Sequence, residues 1–476
     1  MSKTFYLTTT LPYVNSDPHV GFAMEIIHAD IIARAKLLQG FEVFFNTGTD
    51  EHGVKVFSKA QEAGKDTQAY TDEYAEKFRD LKDVLGLWEG LHFIRTTDEA
   101  HKKAAQAFWQ KCKEAGDIYK KNYKIKYCIG CELEKTDSEL VDGKCPLHPN
   151  LVIEIREEEN YFFAFSKYGE KLLALYEKQP DLVVPEYRLN EIKVLIQEKG
   201  LEDFSISRLA SKMPWGVAVP DDETQVMYVW FDALVNYVSA IGWPSDMKTF
   251  EKWWPVVQFA GKDQVRQQAA MWQAMLISVG LAPSSKIVIH GFLQSNGQKM
   301  SKSLGNFIGP LEVVNEYGTD ALRYYLAREA STFEDSDFTM ERFKTAYNAN
   351  LANGIGNLTS RIMKMAETNL AGPVEIAEKT VPQEFFDLLE KFEIQKAADL
   401  VWKKITSLDE RIQETQPFKL VKTDKEAGVK IVTELVQELY TVGRMFNPIL
   451  PETSKKIKEL VKENKAPETP LFLRKE

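Results

Sequence analysis

Cysteine is scarce in this chain: four occur in 476 residues, and three of them crowd between positions 128 and 145. So few exclude a disulfide-built secreted scaffold, which replaces a hydrophobic core with dense cross-links. Long apolar runs are missing as well. The most apolar window, Val226 to Trp243, is broken by Asp232 and Asn236, which excludes a membrane span. The opening Met1-Ser2-Lys3-Thr4 lacks the apolar stretch of a secretory leader, so a cytoplasmic location and no membrane partner are expected. Positive charge is in deficit, with 60 Lys and Arg against 70 Asp and Glu and a net charge of −10. Any nucleic-acid contact must then come from a local patch. Arg342 and Lys344, Arg361 and Lys364, and the tail lysines Lys455, Lys456 and Lys458 are candidates, although solvated helix faces explain the tail group equally well. Repeats and low-complexity tracts are absent, and the length corresponds to about three domains.

What is present organises as an α/β fold. Thr4 to Thr8 reads as a strand leading through the Pro12 turn to His19, after which Met24, Ile27, Ile31 and Leu38 recur at helical spacing. Strand, loop and helix open a Rossmann-like, doubly wound parallel sheet. Phe41 to Phe45 is the next strand, ending at the Gly48 and Gly53 turns. Val256 to Ala260 and Ile287 to Phe292 are compact apolar runs, as buried parallel strands should be. The expected division is a first half of the nucleotide fold over 1–111, a connective insertion carrying a metal knuckle over 112–225, and a second half over 226–306. A linker at 307–345 then leads to a C-terminal α-helical bundle over 346–476.

The inserted stretch carries Cys128-x2-Cys131, thirteen residues, and then Cys145-x2-His148. Each pair sets two soft ligands across a tight turn, and four ligands close a tetrahedron with no position left for water. One structural Zn2+ is expected there. Cys112 stands apart and is expected to be buried.

The run Gln298-Lys299-Met300-Ser301-Lys302-Ser303 follows an apolar strand and the turn Ser295-Asn296-Gly297, where open parallel sheets bind ligands. A lysine-serine run by itself is ordinarily a basic surface loop. Paired with Pro18-His19-Val20-Gly21, it reads as an ATP site, two ammonium groups closing over a triphosphate.

These two motifs resemble those of class I aminoacyl-tRNA synthetases. With Leu11-Pro12-Tyr13-Val14-Asn15, Thr47-Gly48-Thr49-Asp50-Glu51-His52-Gly53, Tyr228-Val229-Trp230-Phe231-Asp232-Ala233 and Tyr317-Gly318-Thr319-Asp320-Ala321-Leu322-Arg323-Tyr324, the chain resembles the methionyl-tRNA synthetase family from end to end. The resemblance implies an aminoacyl-tRNA ligase that activates L-methionine with ATP and Mg2+ and passes it to tRNA(Met). It implies that His19, Lys299 and Lys302 are catalytic, and that Asn15, His19, Gly21, Gly261, Asp263, Leu293, Lys299 and Lys302 bind ATP. Leu11, Tyr13, Asp50, Trp230, Ala233, Tyr237, Gln264 and Gln268 would hold methionine, with Asp50 on its ammonium. Asn357 and Arg361, one helical turn apart, and Phe418 would meet the anticodon. A monomer is the expected state.

Some positions depart from the family pattern. Gln264 and Gln268 stand where isoleucine and histidine are usual, Phe22 where a second histidine is usual, and Phe418 where tryptophan is usual. Phe22 offers no donor to phosphate, so Lys302, Asn15 or amides near Gly21 must compensate; His28, six residues on, is turned about 240° away along a helix. Synthetases for leucine, isoleucine or valine carry a large editing insertion, for which 112–225 leaves no room. A cysteine-specific enzyme would show a cysteine in the N-terminal turn. A non-catalytic tRNA-binding relative is favoured by Phe22 alone.

Overall fold

The structure is a computed structural model that describes residues 3–128, 133–135, 140–146, 148–300, 306–376 and 381–476. Six parallel strands form the central sheet: β1 (Thr4–Thr8), β2 (Glu42–Thr49), β3 (Leu91–Arg95), β4 (Val183–Val184), β5 (Val257–Gly261) and β6 (Lys286–His290). Their order is β3-β2-β1-β5-β6-β4. The chain leaves β1 toward one edge and later returns beside it with β5, so the crevice at the carboxyl ends of β1 and β5 is the switch point where such sheets bind ligands. Core clusters lie on both faces. One runs from Ile27, Ile31 and Phe45 into the C-terminal helices, and the other gathers Phe108, Trp109, Phe231 and Trp272, which is why these strands read as near-continuous apolar runs.

Helix α1 (Val20–Leu38) follows β1 at once. It buries Glu25, His28 and Asp30 along with its apolar residues. Asp30 is paired with Arg323, whose guanidinium is fully buried and also donates to the carbonyls of Leu85, Pro448 and Ile449. One side chain thus ties α1, the turn before β3 and the end of the helix Lys425–Ile449 together.

The stretch 112–225 contains a four-stranded antiparallel sheet in which Ile118–Cys128 pairs with Ile153–Phe163. It also supplies β4, so the polypeptide re-enters the central sheet before its second half begins. Val226 was expected to resume the parallel sheet. Instead it belongs to an antiparallel strand, Asp222–Met227; two short helices, Val229–Leu234 and Asn236–Ser239, follow, and then a third, Met247–Trp253, before β5. After residue 306 the described chain is almost wholly helical, with long members Ile394–Thr415 and Lys425–Ile449. Among the described residues no helix is long and apolar enough to cross a membrane.

Candidate functional site

A cavity of about 320 Å³ opens at the switch point. Thr10 to Tyr13 reach it from the end of β1, Asp50 from the end of β2, and Gly261, Asp263, Gln264 and Gln268 from the segment after β5. His290 to Gln294 and Met300 reach it from beyond β6, and Trp230, Ala233 and Tyr237 come from the two short helices. All eight residues expected at methionine therefore line one cavity, together with His19, Gly21, Gly261, Asp263 and Leu293 of the ATP set. Asn15 does not line it and sits half-buried in the loop after β1. The side chain of Lys299, the whole of Lys302 and the whole of Cys131 lie outside the described residues.

His19 is the N-cap of α1, and its Nδ1 accepts from the Gly21 amide at 3.0 Å. An accepting Nδ1 leaves the neutral ring's proton on Nε2, so the ring keeps a donor on its far side. The bond depends on the glycine, since a Cβ at Gly21 would stand 2.8 Å from Nδ1 and Cε1 of His19. Phe22 lines the cavity beside them, packed edge-on against Phe78 at 5.5 Å. His28 faces away, as its position along α1 requires, bonded to the Leu326 carbonyl at 2.8 Å.

The motif Asp50-Glu51-His52 holds two acids with different fates. Glu51 is saturated, accepting from the Thr49 and Thr97 hydroxyls and from Nε and Nη2 of Arg95. Asp50 is pinned through its backbone, by Asp50 N to Pro12 O at 2.9 Å and Val14 N to Asp50 O at 3.3 Å. Its carboxylate is buried, and Oδ1 has no hydrogen-bond partner among the described residues. Burial first and the charge of Asp232 second push the Asp50 carboxyl well above the usual range, against the opposing amide of His52. A buried carboxylate so placed needs a cation.

Two polar groupings at the cavity were not anticipated from sequence. Glu25 accepts from the Thr10 amide and hydroxyl at 2.6 and 2.7 Å, and its other oxygen meets His290 Nε2 at 2.7 Å. His290 Nδ1 faces the Gly291 carbonyl at 2.7 Å. Both ring nitrogens therefore face acceptors; burial works against the charged ring, but Glu25 outweighs it and the His290 pKa rises. This pair fixes the β1 loop against α1 and β6. Asp232 likewise takes His52 Nδ1 at 3.0 Å. The available signal was a carboxylate at position 25 amid the apolar residues of a buried helix, which seldom happens without a partner.

The hairpin Leu293–Ser295 to Gln298–Lys299 brings Leu293, Gln294 and, just beyond it, Met300 to the cavity. Asn296 and Gly297 both have positive φ, 53° and 69°, the two-residue turn that Asn-Gly favours.

Away from the cavity, the ligand atoms of Cys128, Cys145 and His148 lie within 4.8 Å of one another. Cys128 Sγ and Cys145 Sγ stand 3.8 and 3.9 Å from His148 Nδ1. Tetrahedral zinc bonds to sulfur and nitrogen give an edge of about 3.6 Å, so these residues fit a metal of that kind. Cys112 is fully buried, and burial pushes its thiol up to about 12.

Asn357 and Arg361 stand on the helix Asn357–Asn369, Asn357 exposed and Arg361 paired with Asp409. Phe418, on Pro417–Thr423, is 45% exposed and so is not part of the core. The basic groups proposed for a tRNA patch are largely matched by acids: Arg342 by Asp337, Lys344 by the Glu476 terminus and Lys364 by Glu367. Lys458 is different, its pKa lowered by burial and then by Lys462 and Arg444.

A nucleotide-type sheet with the lysine hairpin and the capped histidine at its switch point defines the class, and the family described as tRNA synthetases class I (M) matches residues 5–151 and 148–363. Methionine–tRNA ligase of Thermotoga maritima is 42% identical over 95% of this chain and 74% of its own length. That of Thermosynechococcus vestitus is 40% identical over 96% and 90%. The solved Mycobacterium tuberculosis methionyl-tRNA synthetase in complex with methionyl-adenylate superposes with a TM-score of 0.89 at 34% identity, covering 99% of this chain and 100% of that one. The chain belongs to the methionine–tRNA ligase family.

Proposed function

We propose that the cavity is where L-methionine and ATP are joined, and that Asp50 carries the reading. A buried carboxylate with an unpartnered oxygen, set among Tyr13, Trp230 and Tyr237, suits the ammonium of an amino acid with a soft apolar side chain. Leu11, Ala233, Gln264 and Gln268 complete that pocket. ATP is assigned to His19, Gly21, Gly261, Asp263 and Leu293, with Asn15 nearby, and to Lys299 and Lys302 from the hairpin loop, with Mg2+ on its phosphates. A substrate carboxylate oxygen attacks the α-phosphorus in line, the bond to the bridging oxygen breaks, and pyrophosphate leaves. No protein nucleophile is needed. His19 Nε2–H, the amides at the start of α1 and the two lysines are assigned to meet charge developing on phosphate oxygens. A terminal ribose hydroxyl of tRNA(Met) then attacks the acyl carbon and AMP departs.

Zn2+ is assigned to Cys128, Cys131, Cys145 and His148 as a structural ion that holds the inserted knuckle together. The anticodon is assigned to Asn357, Arg361 and Phe418, an exposed ring being free to stack on an unpaired base. A monomer in the cytoplasm is the accompanying reading. The test separates the two half-reactions. Phe418→Ala should weaken charging of tRNA with labelled methionine by about 1–3 kcal/mol while adenylate formation without tRNA is unchanged; equal loss of both would overturn the anticodon assignment.

A further inference from the structure

The floor of the cavity is backed by a file of buried amides. Gln273, on the helix Trp272–Ser278, has its orientation fixed by the backbone at both ends: Oε1 accepts from the Ser284 amide at 3.0 Å and Nε2 donates to the Gln268 carbonyl at 3.0 Å. An amide so held cannot be flipped, because the backbone N–H can only donate and the C=O can only accept. The remaining bonds then follow in one direction. Gln273 Nε2 also donates to Ser284 Oγ at 3.1 Å, so the Ser284 hydroxyl donates onward to Gln258 Oε1 at 2.5 Å. Gln258 Nε2 donates to Gln268 Oε1 at 2.8 Å, and Gln268 Nε2 donates to the Tyr237 hydroxyl at 2.9 Å. Tyr237 oxygen is thus an acceptor toward the protein. Its own proton is therefore turned away from Gln268, toward the cavity that Tyr237 and Gln268 line.

We propose that Gln273, Ser284 and Gln258, none of which lines the cavity, are positioning residues that fix the Tyr237 hydroxyl as a donor to the bound side chain and so set selectivity for a thioether over an all-carbon chain. Sulfur is a weak acceptor and a methylene is none, so a donor whose direction is imposed from behind discriminates between two side chains of nearly equal shape. Were the file reversed, Gln268 would present its oxygen, the Tyr237 proton would turn inward, and the pocket would lose that distinction.

The inference rests on the cavity being the methionine site, and the experiment keeps the two apart. ATP–pyrophosphate exchange is measured with methionine and with norleucine, whose methylene replaces the sulfur, for the unmodified protein, Ser284→Ala, Ser284→Thr and Gln258→Met. Ser284→Ala breaks the file one link from its anchor and should lower the methionine-to-norleucine ratio of kcat/KM about three- to tenfold, mostly through KM for methionine. Ser284→Thr, which keeps the hydroxyl, should restore the ratio, and Gln258→Met should lower it as Ser284→Ala does. Should Ser284→Ala not fold, as judged by circular dichroism, Gln258→Met carries the test. Equal losses for both substrates, or an unchanged ratio in a folded variant, would make the file purely structural and overturn the proposal. An unmodified protein that exchanges with neither substrate would instead overturn the methionine site itself.

Discussion

At the scale of single residues the site is a matter of which polar groups have been given partners. Glu51 is occupied by Arg95 and Glu25 by His290 and Thr10, while Asp232, which does not line the cavity, meets His52 through Oδ2 alone. Asp50 keeps an oxygen in reserve. Because its carboxyl is held well above the usual range, an ammonium group binds best to the ionised form, and affinity for methionine should rise with pH as the carboxyl ionises. Asp50→Asn should raise KM for methionine roughly 10- to 100-fold, the worth of a hydrogen bond to a charged group, and flatten that pH dependence. The measurement is KM against pH in pyrophosphate exchange; an Asn variant with unchanged KM would remove Asp50 from the ammonium. Sequence singled out Asp50 through a resemblance. Why it rather than Glu51 remains available became visible only when Arg95, forty-four positions on, was found bound to Glu51.

At the scale of elements, local signals were the most legible. The strand Thr4–Thr8, the helix that starts after His19, and the Asn296-Gly297 turn were readable because each follows from neighbouring residues: a compact apolar run, capping and positive φ. The two-residue strand β4 and the antiparallel end of Asp222–Met227 were not, since pairing with distant partners decided them. The knuckle was legible for a third reason, the chemistry of spaced soft ligands. Cys145→Ser should lower the bound metal measured by elemental analysis and loosen the strands Ile118–Cys128 and Ile153–Phe163, read as faster amide exchange there than elsewhere. Full metal content and unchanged protection would show that the ion is held by other groups.

At the scale of the whole molecule, buried polar residues join the parts. Arg323 was visible in the sequence only as part of a motif. Its four acceptors on three segments show it to be the tie between the sheet and the C-terminal helices. His28 and His101 are buried neutral, each with its pKa lowered to about 4, by burial first. The unfolded chain takes up these two protons as the pH drops below about 6.5 and the folded chain does not, so stability must fall on acidification from there to about 4, by on the order of 3 kcal/mol for each. His290, with its raised pKa, acts on the alkaline side and does not offset this. Thermal melts across that window should show the decline. His28→Gln, whose Nε2 can take the place of the ring Nε2 toward the Leu326 carbonyl, should make it shallower, and an unaltered slope would show that the loss lies elsewhere.

The central claim, that one cavity selects methionine and joins it to AMP, is tested most directly by amino-acid-dependent ATP–pyrophosphate exchange with methionine, leucine and isoleucine offered separately. Exchange should be strongest with methionine, and Lys302→Ala should abolish most of it. Preference for either branched side chain, or no exchange with any of the three, would contradict the account.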